Sequence, residues 1–297
     1  MRKLKNFIKQ NSLGRQFHLW NYARIERSRQ KRLQRKAAKH DGNLVVLGIM
    51  KNEAMIVEEW IQHYLDQGAD KIILIDNGST DSSLEKAQSY KSSGKVECVS
   101  RPAQWRQSQH YWSVIDQFEL KNLFEWLLIA DLDEFWFCKD GIRLCEALPT
   151  QERIDLIYVR MTAFGSSGYI EQPKSIRQSF TKKQPHIGPH VYSKYIVRLS
   201  ALKKSKNIGI HKVHGIASAR VIGDDIRFQM NHYIIMSREY FEKVKLIRGD
   251  ACNPVKDKIR DWPYFESIDR SCTAKDTQLI EVMTKLEASD KDQRLNV

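Results

Sequence analysis

Apolar and polar residues alternate along this chain in blocks that switch between strand and helix periodicity. Val45–Met50 is an unbroken apolar run and predicts a buried strand. From Glu53 to Gln67 the apolar residues Ile56, Val57, Trp60, Ile61, Tyr64 and Leu65 recur at helical spacing, and Gly68 closes that helix. Lys71–Asp76 predicts a second buried strand ending in the turn signal Asn77-Gly78. Ser82 and Glu85 have the spacing of a capping box for a helix to about Tyr90. Lys95–Ser100 predicts a third strand, Gln107–Phe124 a helix and Trp126–Ala130 a fourth strand. Strands alternating with helices predict an α/β fold built on a doubly wound, mostly parallel sheet.

Charge divides the chain. Residues 1–40 hold 13 Lys and Arg against the single acid Glu26, a net of +12, while all 297 residues carry only +13. A near-neutral domain therefore follows a basic arm. Leu4, Ile8, Leu13, Phe17 and Trp20 recur in that arm at helical spacings. A basic amphipathic segment with interfacial aromatics suits an anionic membrane surface. A nucleic-acid patch, a docking helix and a plain solvated helix compete with that reading. The near-neutral main domain and the lack of any nucleic-acid motif count against nucleic acid. The expected division is 1–41 as a basic helical extension, 42–270 as the catalytic domain and 271–297 as a polar helix or tail.

No run reaches the ~18 apolar residues of a membrane span. The N-terminus lacks the apolar core of a secretion signal. Cys98, Cys138, Cys145, Cys252 and Cys272 form no C-x-x-C pair, which suits reduced thiols in a cytosol. The expected location is thus cytoplasmic, peripheral on the inner face of the membrane.

The candidate chemistry lies at strand ends, where open α/β sheets place their ligand crevice. The fourth strand runs into Asp131, Asp133 and Glu134, with the two aspartates on one face of an extended chain. That arrangement is either a solvated acidic end or a pair of oxygen ligands for Mn²⁺ or Mg²⁺. The first strand is followed by Lys51, Asn52 and Glu53, the second by Asp76, Asn77, Ser79 and Asp81. Asp76 is placed to accept from a sugar hydroxyl or base N–H, and Lys51 to meet a phosphate. Ser79, Thr80 and Asp81 also suit helix capping. Neither a Gly-x-Gly-x-x-Gly turn nor a Walker-type loop is present, which argues against dinucleotide oxidoreductases and P-loop phosphotransferases.

The stretch KNEAMIVEEWIQHYLDQGADKIILIDNGSTD followed by DLDEF resembles a family 2-type glycosyltransferase with the GT-A fold, more narrowly the subgroup related to family 92. FGSSG at 164–168 and NHYIIMSREYFEKVKLIRG at 231–249 resemble later motifs of that subgroup. The resemblance implies metal-dependent transfer, with inversion, of a hexosyl group from a nucleotide-diphosphate sugar to a glycan or lipid-linked acceptor, as in surface polysaccharide or lipopolysaccharide synthesis. It implies a donor site of Lys51, Glu53, Asp76, Asn77, Gln109, Asp131 and His232, with Glu134 orienting its neighbours. The implied metal ligands are Asp131, Asp133 and a C-terminal histidine, for which His211 is the choice and His232 the second candidate. IGIHKVHG reads as extended, so His211 and His214 face opposite ways. No Glu-Asp base motif follows. Asp225, beside Asp224, is the chosen base and Glu171 the alternative. A catalytically inactive nucleotide-sugar-binding protein of the same fold is the competing reading.

Overall fold

The computed structural model describes residues 44–295 except 105, 150–152, 187–192, 203–207 and 249–259. The basic extension expected over 1–41, with Phe17 and Trp20, lies outside the described residues, as does Cys252.

Strands β1 (Leu44–Met50), β2 (Lys71–Asp76), β3 (Val96–Ser100) and β4 (Trp126–Ile129) form a parallel array in the order β3-β2-β1-β4. Alternate residues serve opposite faces. Leu44 and Val46 of β1 join one core cluster with Val57, Trp60, Ile61 and Tyr64 of helix α1 (Val57–Asp66) and Ala87 of α2 (Ser83–Gln88). Val45 and Leu47 join the other, with Tyr111, Val114 and Ile115 of α3 (Gln107–Gln117). Helices thus cover both faces, which is why β1, β2 and β4 are apolar almost throughout rather than alternating, while edge strand β3 carries Glu97 and Ser100.

The second half of the sheet is mixed. From β4 a tight turn leads into β5 (Glu134–Cys138). The long β6 (Leu156–Phe164) joins the halves, and the helical turn α4 (Ile176–Ser179) and short β7 (Lys182–Lys183) follow it. The first half of β6 pairs antiparallel with β8 (Ser193–Arg198), which itself pairs antiparallel with β4. The short β9 (Val221–Ile222) runs parallel to that half. The second half of β6 pairs parallel with β10 (Phe228–Tyr233), and β10 pairs antiparallel with β5. After β10 the chain enters α5 (Arg238–Tyr240), which continues through a π turn (Phe241–Lys245) into Leu246–Arg248. Then come α6 (Trp262–Ser271), β11 (Ala274–Lys275) and α7 (Gln278–Leu295).

Several local expectations change. Helix α1 begins at Val57, because the backbone from Glu53 to Ile56 forms a turn. The helix expected over 107–124 stops at Gln117, where Glu119 takes a left-handed φ of 48° and the chain restarts as one turn, Leu120–Leu123. Ser82 makes no side-chain cap for α2; Asp81 instead accepts from the backbone N–H of Ser83 at 3.0 Å. The segment 208–213 is not extended but folds back, bridging Ile208 to Val213 with Gly209 N–H donating to the Lys212 carbonyl. The C-terminal segment forms a helix whose Leu279, Val282 and Leu286 enter the main core.

Candidate functional site

Register brings three strand ends to one edge. Met50 of β1 pairs with Asp76 of β2, which pairs with Ser100 of β3. On the other side Leu47 pairs with Ile129, so Asp131 emerges at the same edge two residues later.

The loops leaving β1 and β2 lock together. Asn52, at a φ of 55°, donates its N–H to Ser79 Oγ (3.1 Å) and accepts from Thr80 N–H through Oδ1 (2.7 Å). Glu53 N–H donates to Ser83 Oγ (2.6 Å) and Ala54 N–H to Asp81 Oδ2 (3.1 Å). Ser79, Thr80 and Asp81 therefore serve the neighbouring loop more than the helix they precede. Lys51 stays partly exposed. Glu53 is buried and accepts from the Tyr240 hydroxyl on α5. Asp76 is buried at the strand end, its oxygens accepting from Gly78 N–H (3.3 Å) and Ser79 N–H (3.1 Å). Those amides fix the carboxylate's orientation and leave lone pairs for an incoming donor. Asn77 holds the chain after β3, donating to the carbonyls of Arg101 (2.6 Å) and Ala103 (3.0 Å).

The acidic triplet is held by two lysines that sequence reasoning missed. Lys194 on β8, 2% exposed at its side chain, stands 2.7 Å from Asp131 Oδ2 and 3.2 Å from Glu134 Oε1. Lys245, at the end of the π turn and 1% exposed, pairs with Asp133 Oδ2. His232 Nε2 lies 3.4 Å from Asp133 Oδ1, its other ring nitrogen against Met161 Sδ. Burial pushes the Asp133 carboxyl up, but Lys245 and His232 outweigh it and hold it well below the usual carboxylate range. Glu134 is fully buried, and desolvation pushes it up to about 7 against the pull of Lys194. It accepts from the Asp131 N–H at 3.1 Å. Trp60 Nε1 donates to the Asp131 carbonyl (2.9 Å), so α1 fixes the turn from behind.

Asp131 is the most open of the three, 32% exposed at its side chain. Its Oδ1 accepts a long bond, 3.4 Å, from Gln107 Nε2 at the start of α3. Gln109, expected at the donor site, is exposed, since two residues along a helix turn a side chain through about 200°. Gln107 is the residue that faces the carboxylates.

His211 sits on the fold-back turn with Nδ1 3.3 Å from the Ser193 carbonyl. Burial and then Lys194 push its ring below the usual histidine value, opposed by Asp131. Its ring therefore feels the charges of Lys194 and Asp131. Asp225 lies apart, before β10, near the Phe228–Cys138 pair, four residues or about 13 Å along the strands from the His232–Glu134 pair. It is buried, accepts from Arg227 N–H (2.8 Å), and desolvation pushes it up to about 6. Its neighbour Asp224 is bound to Arg160. An acid pair adjacent in sequence said nothing about which edge of the sheet it would reach. Glu171 is exposed on the loop that follows β6, seven residues after Phe164.

The expected ion ligands fit a divalent metal poorly as they stand. Among the described residues no three His, Cys, Asp or Glu side chains stand together as a metal-holding group. Both oxygens of Asp133 are engaged, by Lys245 and His232, and one oxygen of Asp131 by Lys194.

The family model "Glycosyltransferase family 92" matches residues 48–244. A Glycosyltransferase family 92 protein of Ricinus communis is 22% identical over 231 residues, covering 76% of this chain and 40% of the relative. One of Oryza sativa subsp. japonica is 25% identical over 232 residues, covering 76% and 38%. The chain thus spans about two fifths of the length of the curated relatives it matches. Among solved structures, S. aureus TarS 1–349 is similar with a TM-score of 0.41 and 12% identity, over 77% of this chain and 70% of that one.

Proposed function

From a chain that belongs to glycosyltransferase family 92, we infer a catalyst of sugar transfer from a nucleotide-diphosphate donor to an acceptor hydroxyl. The observation that carries this reading is the register that gathers Asp76 and Asp131 at the carboxyl edge of one parallel array. Asp76, oriented by two backbone amides, accepts from the base or ribose. Asp131 lies toward the ribose and diphosphate, and Lys51 meets phosphate charge. Asp133 and Glu134, sequestered by lysines, hold the turn that presents Asp131. Of these groups Lys51 is the cation placed to stabilise the negative charge that develops on the departing nucleotide diphosphate, while the carboxylates orient the nucleoside.

Inversion requires the acceptor oxygen to attack the anomeric carbon from the face opposite the leaving group, with a base taking its proton. Glu171, on the loop after β6 and open to solvent, is the carboxylate we assign to that task in place of Asp225. The acceptor is a glycan or a lipid-linked glycan of surface polysaccharide synthesis, brought close by the basic arm on an anionic membrane face in the cytoplasm. Equal vesicle sedimentation with and without residues 1–40 would remove that part of the reading. Among the described residues no helix is long and apolar enough to cross a membrane.

The donor assignment is tested by calorimetric titration with UDP, GDP, ADP and dTDP. Asp76→Ala weakens binding of the cognate nucleotide by about tenfold or more, the loss of one or two hydrogen bonds to a charged group. An unchanged dissociation constant in a folded variant rejects the role.

A further inference from the structure

The two buried lysines have no counterpart in the expected chemistry of this crevice. A lysine seldom lies fully buried unless paired, and here two converge from different elements on one turn of four residues. Lys194 comes from β8, the antiparallel neighbour of β4. Lys245 comes from the π turn after β10, where i→i+5 bonding brings residues five apart to one side. That geometry lets Tyr240 reach Glu53 while Lys245 reaches Asp133, an alignment that α-helical periodicity would not give.

A divalent ion bound by two aspartates neutralises them and fixes their orientation. The lysines already do both. Each ammonium occupies carboxylate lone pairs that an ion would need, and each repels a second cation a few ångströms away. We propose that Lys194 and Lys245 fill the electrostatic place of a divalent ion in the nucleotide-free protein, so that the wild-type chain retains no free ion and removal of either lysine opens a site for one. The proposal rests on reading Asp131 as a donor-site carboxylate and Asp133 as part of the turn that presents it. It concerns the ion alone, so its failure leaves sugar transfer standing.

Removing Lys245 frees Asp133 Oδ2 beside His232; removing Lys194 frees Asp131 Oδ2 beside Glu134 and near His211. In either case one unbalanced negative charge appears next to nitrogen and oxygen donors that Mn²⁺ accepts. Arginine in place of Lys245 keeps the charge, so Lys245→Arg opens no site.

The test is titration of the full chain with Mn²⁺ without nucleotide, read by the electron paramagnetic resonance signal of the free ion, with circular dichroism to confirm folding. Wild type leaves the signal undiminished up to about millimolar ion. Lys245→Met and Lys194→Met each take up one Mn²⁺ per chain at least about tenfold more tightly, the effect expected of removing one nearby positive charge. Asp133→Asn in the Lys245→Met background abolishes the gain, and Lys245→Arg behaves as wild type. Micromolar binding of one Mn²⁺ by wild type, lost in Asp133→Asn, overturns the proposal, as do folded Lys→Met variants that bind no better than wild type. If neither Lys→Met variant folds, the wild-type titration decides alone.

Discussion

At the scale of residues, position on a strand decided what the sequence disclosed. Asp76 and Asp131 were legible because a carboxylate ending an apolar run has few places to go but the edge of the sheet. Lys194 and Lys245 were not, because their partners lie 63 and 112 residues away. The available signal was a lysine inside an apolar segment, SKYIVRL and FEKVKLI, where a solvated face offers no ready explanation. Asp225 drew attention for its acidic neighbour, yet its burial makes it a stability group instead. Its carboxyl is pushed up to about 6 by desolvation, so the folded state binds its proton more tightly than the unfolded chain does. Stability contributed through this group therefore falls as pH rises from about 4 to about 6, by on the order of 3 kcal/mol, and is flat outside that window. Asp225→Asn, which keeps the acceptor for Arg227 N–H, should flatten that part of the urea-unfolding profile and leave transfer unchanged. A profile parallel to wild type refutes the burial account, and loss of turnover returns Asp225 to the site.

At the scale of elements, periodicity was most reliable where a helix packs one stripe on a sheet. Helix α1 and strands β1 to β4 follow the expected pattern, since Trp60, Ile61 and Tyr64 on one side and alternate strand residues on the other are the core itself. Boundaries moved where tertiary bonds outcompeted local ones. Glu53 is held by Tyr240 rather than entering α1, and Asp81 bonds Ala54 and Ser83 rather than leaving capping to Ser82. The polar composition of the last segment concealed a sparse stripe, Leu279, Val282 and Leu286, that α7 buries against the main core. Leu279→Ala should accordingly lower the unfolding free energy by about 2–4 kcal/mol. A change below about 0.5 kcal/mol in urea titration would mean that this helix is only a surface appendage.

At the scale of the whole molecule, the alternating strand–helix order foretold the parallel half and the crevice at its edge, while the mixed half was beyond reach. Strands such as β8, β9 and β10 are short, separated by long loops and paired out of order, so no local pattern fixes their neighbours. Yet that half supplies Lys194, His232, Lys245 and the loop with Glu171. The structure divides accordingly: the parallel half ends in Asp76 and Asp131, the mixed half supplies the lysines that neutralise the acidic turn, and the proposed reading assigns the donor to the first and the acceptor to the second. Central to this account is that Asp131 works in transfer from a nucleotide sugar. The most direct measurement is nucleotide-diphosphate release by the full chain from a panel of nucleotide sugars, with and without Mn²⁺, comparing wild type with Asp131→Asn. The account predicts turnover with at least one donor and a loss of about a hundredfold or more in a folded Asp131→Asn protein. Wild-type turnover that Asp131→Asn leaves intact, or binding of a nucleotide sugar with no turnover under any condition, would contradict it.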